Sequence, residues 1–410
     1  MTFLKMGFRN LFRQKRRTLV SLIVIMFGCG SLILAIGHTN YIYWGLREMT
    51  IHGQIGHIQI FNKDYFDLEE KNILEFGVSD FQKLEQELME IPSVCLVLAR
   101  IGFTGLITNS DKSVACMIDA VQPDKEKRLR MLFQPTESIY DSLLLYKDRD
   151  DVVLPGAGLA KSLGVKKGDY LTLMSVTSHG ALNAIDLEVC GTFKGTVPGY
   201  DSRAIIVPLK CGQNLLNSNK VERVVVTLDE TDKVDSAFNT ITQLIENDKK
   251  PLIAKKWINL AGYYKKVKTF YTQMLGFMSV ILIIIVFFST SNTVIMSITE
   301  RTTEIGTMLA LGTSVPETLK TFFFEGLFMG IFGGILSIVF GLAFSFVINL
   351  FAIELPSPPG FSFGYPLSIK PEFGFYFIIF ITTIIVTTLS ALIPALKISK
   401  MKIIEALGHI

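Results

Sequence analysis

Four uninterrupted apolar stretches, at 18–40, 274–298, 321–350 and 373–395, constrain this chain more than any other feature of it. A helix needs about 20 apolar residues to cross the hydrocarbon core of a bilayer, and each stretch reaches that length. In lipid the backbone must satisfy its own hydrogen bonds, so such stretches fold as helices. The third is long enough to tilt or to project beyond the bilayer. The first is too long for a signal-peptide core and has no clear small-residue cleavage site, so it reads as a retained membrane span. Charged residues make up 19% of the chain and apolar ones 49%, a balance that excludes an ordinary soluble protein.

Orientation follows from the basic residues. Residues 1–17 carry Lys5, Arg9, Arg13, Lys15, Arg16 and Arg17 and no acid, and the tail carries Lys397, Lys400 and Lys402. The loop after the third span, 351–372, has one Lys and no Arg. Both termini are therefore expected in the cytoplasm, with 41–270 on the outer side. Lys265, Lys266 and Lys268 oppose this, but a large exported domain translocates regardless of such charges. Tyr41, Tyr43 and Trp44 after span one, and Tyr263, Tyr264 and Tyr271 before span two, form the aromatic belt such a boundary requires. The expected order is an amphipathic entry helix at 1–17, spans at 18–40, 271–298, 321–350 and 373–396, an exported domain at 41–270, a cytoplasmic segment at 299–320, an outer loop at 351–372 and a cytoplasmic tail at 397–410. Net charge is +3, which says little about partners, and no nucleic-acid partner is expected.

The exported region alternates strand and helix patterns. Gly56–Phe61 and 94–107 read as strands, and Ser79 with Gln82 reads as a capping box for a helix facing inward through Phe81, Leu84 and Leu88. The pattern returns with a strand at 221–228, a helix at 231–247 facing inward through Val234, Phe238, Ile241 and Ile245, and a short strand at 251–255. Two β-α-β units thus flank a middle block at about 108–218. The expected fold is a four-helix membrane domain plus an extracytoplasmic α+β domain, itself a β-α-β subdomain with a strand-rich subdomain inserted.

Within the middle block, the run from Val152 to Asp169 reads as a strand, then a short helix closed by Gly164, then a tight turn at Lys167-Gly168-Asp169. Gly158-Leu159-Ala160-Lys161-Ser162 superficially suggests a phosphate loop. It lacks the Gly before Lys, so no nucleotide is expected there. Four cysteines, Cys95, Cys116, Cys190 and Cys211, fall in the exported domain, and Cys29 falls in span one. No CxxC or zinc spacing occurs. A hairpin turn at 109–111 would put Cys116 opposite a residue near 105, not opposite Cys95, so buried free thiols are expected. The histidines form no metalloprotease motif. His52 and His57 are close enough in sequence to approach one metal, but read as hydrogen-bonded or solvated surface residues. No catalytic set, resident metal or cofactor is expected.

Between spans two and three, a helix over 300–311 stops at Gly312, and Ser314 with Glu317 caps the next one, with Pro316 tolerated in its first turn. Arg301 and Glu304 have no membrane reason to be there. In span three Gly326, Gly330 and Gly334 recur every four residues, and Gly333, Ser337 and Gly341 run beside them. Small residues at that spacing let helices approach closely in lipid.

Arg301, Glu304-Ile305-Gly306 and Ala310-Leu311-Gly312 resemble the signature of permeases of the FtsX/MacB/LolC-LolE superfamily, the membrane subunits of mechanotransmitting ABC transporters. The resemblance covers nearly the whole chain. Arg9-Asn10-Leu11 and Lys15-Arg16-Arg17-Thr18 look like the family's entry helix, Asn292 and Met296 like the polar end of its second span, and Glu325-Gly326 like its third. Gly56-His57-Ile58-Gln59-Ile60, Leu159-Ala160, Gly164-Val165, Gly168-Asp169 and Gly191-Thr192-Phe193 look like the lipoprotein-releasing LolC/LolE branch.

The resemblance implies a paired permease, homodimeric or heterodimeric, with a separate cytoplasmic ATPase dimer docked on the segment holding Arg301, Glu304, Ile305, Gly306, Ala310, Leu311 and Gly312. This chain has no Walker A sequence, so ATP and Mg are expected at that partner and no cofactor on this chain. The resemblance further implies a lipoprotein substrate and a periplasmic carrier docking on the exported domain. In the carrier-recruiting branch a long proline-containing hook follows the counterpart of Leu171–Met174. Here Ser175–Asn183 is short and lacks Pro and Arg, as expected of a non-recruiting subunit or of a transporter with another substrate. MacB-like efflux of drugs, peptides or toxins, and FtsX-like regulation of an extracytoplasmic hydrolase, are the rival readings.

Overall fold

The computed structural model describes residues 2–13, 15–66, 74–131, 149–194, 198–351, 353–355 and 365–397. Lys400 and Lys402 of the expected tail, and the middle of the expected 351–372 loop, lie outside the described residues. In chain order, helix α1 (Thr2–Arg13) precedes the long helix α2 (Lys15–Thr50). Strand β1 (Ile58–Asn62), helix α3 (Phe81–Met89), strands β2 (Val94–Thr108) and β3 (Ser113–Val121) and helix α4 (Pro123–Met131) follow. Next come β4 (Val152–Pro155), α5 (Ala157–Leu163), β5 (Tyr170–Val176), β6 (Leu182–Val189), β7 (Ala204–Pro208) and α6 (Leu209–Leu216). The last elements are β8 (Arg223–Leu228), α7 (Val234–Asn247), β9 (Leu252–Lys256), α8 (Gly262–Glu300), α9 (Thr302–Ala310), α10 (Val315–Phe351) and α11 (Phe373–Ala395). The chain divides into a helical unit, Met1–Trp44 with Val267–Glu354 and Pro366–Ile410, and an α/β unit, Gly45–Lys266 with Leu355–Tyr365.

In the helical unit the four apolar stretches are helices long and apolar enough to cross a membrane. Their outward faces are apolar, with Phe277 on α8 and Phe346 on α10 about 70% exposed, as a lipid-facing surface requires. Hydroxyls join the helices inside. Ser21 Oγ meets Thr293 Oγ1 at 2.6 Å, and Ser291 Oγ donates to Ser390 O at 2.9 Å. Such bonds hold polar groups that lipid would leave unsatisfied.

In the α/β unit nine strands form one sheet in the order β3-β7-β4-β6-β5-β2-β8-β1-β9. The outer four, β2-β8-β1-β9, are all antiparallel neighbours. They interleave the two β-α-β units, since β1 lies between β8 and β9, which is the split β-α-β arrangement. The middle block is inserted between β2 and β8, and β2 belongs to both halves. Its first part, Val94–Arg100, pairs with β8, and its second, Arg100–Thr108, pairs with β3. Leu106–Thr108 also pair with β5, so β2-β3-β7-β4-β6-β5 close on themselves. A closed sheet leaves no edge strand exposed. The strand-rich insert is therefore a small barrel.

From Leu96 to Arg100 β2 is buried on both faces, which explains its run of apolar residues. Val97 and Ala99 join the main core with Leu84 and Leu88 of α3, whereas Leu96 and Leu98 pack on Leu129 of α4 and on Val225. Arg100 shares that second face and meets Glu126 of α4. The cap of α3 differs from expectation. Asp80, not Ser79, precedes the helix, in the left-handed conformation (φ 50°) and without a side-chain cap bond. Gly164, at φ 73°, closes α5 as expected, a conformation that glycine adopts without a Cβ penalty.

Cys116 pairs with Gly105 across the hairpin, and no disulfide forms among the five cysteines. Cys116, Cys190 and Cys211 are buried as expected, but Cys95 is exposed. Burial pushes the Cys116 and Cys211 thiols up to about 12. The described residues contain no His/Cys/Asp/Glu cluster able to hold a metal.

His57 departs from the surface reading, because it is 1% exposed. Its Nδ1 accepts the Leu228 backbone N–H at 3.1 Å, which leaves Nε2 to donate to Thr231 Oγ1 at 3.1 Å. Burial, and then the neighbouring His52, push this imidazole down from 6.5 to about 4. The folded form thus holds a neutral ring that the unfolded chain protonates below its ordinary value. Stability from His57 is complete above about pH 6.5 and falls by about 3 kcal/mol as the pH drops toward 4. Denaturation of the full chain in a Trp44→Phe background, which leaves Trp257 as its one tryptophan, followed by fluorescence at pH 7 and 4.5, should show this loss, and His57→Gln should remove most of it. Equal pH dependence in both proteins would contradict the assignment.

Candidate functional site

The segment between the second and third spanning helices is built from two chain breaks. Arg301 leaves helical geometry (φ −112°, ψ 19°) and separates α8 from α9. Gly312, at φ 97°, ends the next turn, a conformation strained for any residue with a Cβ. The Ser314 N–H then donates to Glu317 Oε2 at 3.0 Å, the reach-back half of the capping box expected there. The result is a nine-residue helix, α9, isolated between two long ones.

The expected coupling residues do not share one face. Ile305 and Gly306 are buried, with Ile305 packed among Val294, Ile298, Phe322, Ala391 and Ala395. They serve the interior of the helical unit and are not accessible to a docking partner. Thr303, Glu304, Thr307, Ala310, Leu311 and Gly312 are exposed, and Leu311 most of all at 82%. The surface available to a partner is therefore the opposite side of α9, ending in an apolar knob.

Glu304 is not waiting for an outside cation. Its carboxylate takes Arg13 Nη2 at 2.5 Å and Nη1 at 3.1 Å from the end of α1, and Arg301 Nε at 3.0 Å. Arg13, then Arg301, hold the Glu304 carboxyl below the usual range. Arg17 similarly pairs with Glu300. Arg13 and Glu304 are both about half exposed, so solvent screens the bridge and it acts mainly to set the geometry between α1 and α9. The sequence reading used Arg13 and Arg17 only as orientation signals. The hint lay in a basic segment with no acid of its own, facing a loop that carries Glu300 and Glu304.

The small residues of α10 form two seams, both within this chain. A Cβ on Gly326 would lie 2.6 Å from Ala391 Cβ, and one on Gly334 2.6 Å from the Phe380 ring, both on α11. Gly330, between them, faces Thr387 and would meet Ile384 Cα at 2.7 Å. On the other seam, Gly333 and Gly341 meet Ile25 and Ile33 of α2 at 2.7 Å each, and Ser337 Oγ donates to Ile25 O at 3.0 Å. Helix α2 returns the relation through Gly30, where a Cβ would lie 2.5 Å from the Phe340 ring. The close approach expected from the spacing is thus spent on the unit's own helices and not on a second chain.

In the α/β unit the β5–β6 connection is a tight hairpin, with Thr177 N donating to Ala181 O at 2.7 Å and Ser178 N to Leu216 O at 3.0 Å. It carries no projecting hook.

Residues 276–403 match the model of the FtsX-like permease C-terminal family, and residues 18–244, more than half of the chain, match the MacB-like periplasmic core domain. The chain is similar to the lipoprotein-releasing system transmembrane protein LolE of Haemophilus influenzae, 23% identical over 340 residues that cover 81% of this chain and 78% of LolE. It is similar to LolC of Neisseria meningitidis, 22% identical over 428 residues that cover 98% of each. Similarity to the macrolide export ATP-binding/permease protein MacB of Azoarcus is 26% over 177 residues, covering 42% of this chain and 27% of that one. The solved periplasmic region of MacB from Actinobacillus actinomycetemcomitans aligns with 52% of this chain at 13% identity and a TM-score of 0.32. Four membrane-length helices, an α/β unit where the core-domain model matches, and these two family matches together make the chain an inner-membrane protein with an extracytoplasmic domain, belonging to the FtsX-like and MacB-like ABC transporter permeases that include LolC and LolE.

Proposed function

We propose that this chain is the permease subunit of a transporter that releases lipoproteins from the inner membrane toward the outer membrane. The observation that carries the reading is coverage: the likeness to LolC runs over 98% of both chains, whereas that to MacB covers 27% of the MacB chain. ATP and Mg are used by a separate ATPase dimer seated on the exposed side of α9, around Ala310 and Leu311, on the cytoplasmic side with both chain termini. A second permease, a copy or a paralogue, completes the pair. Helix α2, unbroken from Lys15 to Thr50, is long enough to carry movement from the ATPase side toward the extracytoplasmic domain. The tight 177–181 hairpin favours a subunit that leaves carrier docking to its partner.

Reconstitution tests the reading. The chain, its partner permease and the ATPase in liposomes loaded with a triacylated lipoprotein should release it to a soluble acceptor when ATP and Mg are added. Lipoprotein retained under ATP turnover, with a drug or peptide transported instead, would replace this reading by MacB-like efflux.

A further inference from the structure

On the side of the helical unit that holds the N terminus, α1, α9 and α10 enclose a cleft of about 630 Å³. Its titratable lining is Arg9, Arg13, Arg301 and Glu304, three cations against one anion. Glu304 is shared by Arg13 and Arg301, while Arg9 is exposed and has no ion-pair partner among the described residues. Thr321 lines the same cleft from α10. It is 7% exposed, and its Oγ1 has no hydrogen-bond partner among the described residues. A buried hydroxyl of that kind calls for an acceptor. Guanidinium groups around it call for a doubly accepting anion, and phosphate matches the fork geometry. Met308 and Phe322 supply an apolar wall beside these donors.

Depth decides between a lipid and a soluble anion. Leu4, Phe8 and Phe12 recur every four residues along α1 and are 49%, 40% and 54% exposed. An exposed apolar stripe of that kind suits a membrane interface, and Phe12 at its end also lines the cleft, which points to headgroup level for the cleft. Glu325, one turn beyond Thr321 on α10 and 4% exposed, is outside the lining.

We propose that this cleft holds the phosphate headgroup of an anionic phospholipid from the leaflet that meets the N terminus, with Arg9 and Thr321 as the contacts free to take it. The bound lipid would then join the entry helix to α9, the segment proposed to meet the ATPase.

Native mass spectrometry of the full chain, extracted from vesicles of phosphatidylcholine with phosphatidylglycerol, reads this directly. Wild-type protein should retain phosphatidylglycerol in preference to phosphatidylcholine. Arg9→Gln should lower retention about tenfold, as expected for one charge-assisted contact. Thr321→Val should lower it severalfold, and Arg9→Lys should restore part of it. Lys5→Gln, which removes the same charge from the same helix outside the cleft, should change retention less than twofold. Equal retention of both lipids, or equal loss in Arg9→Gln and Lys5→Gln, would overturn the proposal. Displacement of the lipid by millimolar inorganic phosphate would assign the cleft to a soluble anion and overturn the lipid source. None of these readings depends on lipoprotein release, so failure here leaves the transport reading standing.

Discussion

Replacing Glu126 by Ala should destabilise the extracytoplasmic domain by about 3–5 kcal/mol, the range for leaving one member of a buried ion pair behind. Glu126 is 0% and Arg100 5% exposed. Arg100 Nε and Nη2 reach the two carboxylate oxygens at 2.5 and 2.6 Å, a bidentate pair sealed beneath α4. Without Glu126 a guanidinium stays buried without its carboxylate, at the residue where β2 passes from the split β-α-β sheet into the barrel. Arg100→Met with Glu126→Leu should recover much of the loss, because apolar side chains of similar volume suit the adjoining Leu98 and Leu129. Denaturation followed by Trp257 fluorescence measures both. A loss below about 1 kcal/mol for Glu126→Ala would show the pair to be solvated.

Gly330→Leu should damage the helical unit itself. Even a Cβ at Gly330 collides with the α11 backbone at Ile384 Cα, 2.7 Å away, and backbone cannot yield as a side-chain tip can. Overpacking typically costs about 1–3 kcal/mol, and a full Leu against backbone belongs at or above the top of that range. Gly276→Leu on α8 is the control, since a Cβ there meets nothing within 4 Å. In detergent, Gly330→Leu should lower the thermal midpoint and expose α10 to proteolysis as an isolated subunit, while Gly276→Leu should not. A Gly330→Leu chain that stays folded alone and fails only to assemble would move that seam to a contact between chains.

Some of this was legible in the residues and some was not, for physical reasons. Twenty-residue apolar runs have one outcome in lipid, so the four spans could be read directly. Periodicity likewise gave α3, α7 and the strands around them, because one face of each is apolar. It could not give the sharing of β2 between the two halves of the sheet, since a residue in a strand looks the same whichever neighbour it bonds. Nor could the Glu304-Ile305-Gly306 motif tell which of its members face inward. That depends on Phe322 and Ala391 from other helices. The Arg13–Glu304 bridge joins residues 291 apart in the chain, a distance no local pattern spans. His57 was misjudged for the same reason, as its burial comes from Leu228 and Thr231.

The exposed side of α9 is the surface proposed to receive a separate ATPase. Leu311 is the residue to change, because it is apolar, 82% exposed and outside every buried cluster among the described residues. Leu311→Glu should leave membrane insertion and the Trp257 signal of the extracytoplasmic domain as in wild type. A buried charge without a partner at an interface costs about 2–5 kcal/mol, which is at least a thirtyfold loss of affinity. Co-purification of the ATPase with Leu311→Glu, at matched membrane expression, is the direct measurement. The ATPase should be lost and lipoprotein release should stop. Wild-type recovery of the ATPase with Leu311→Glu would contradict docking there.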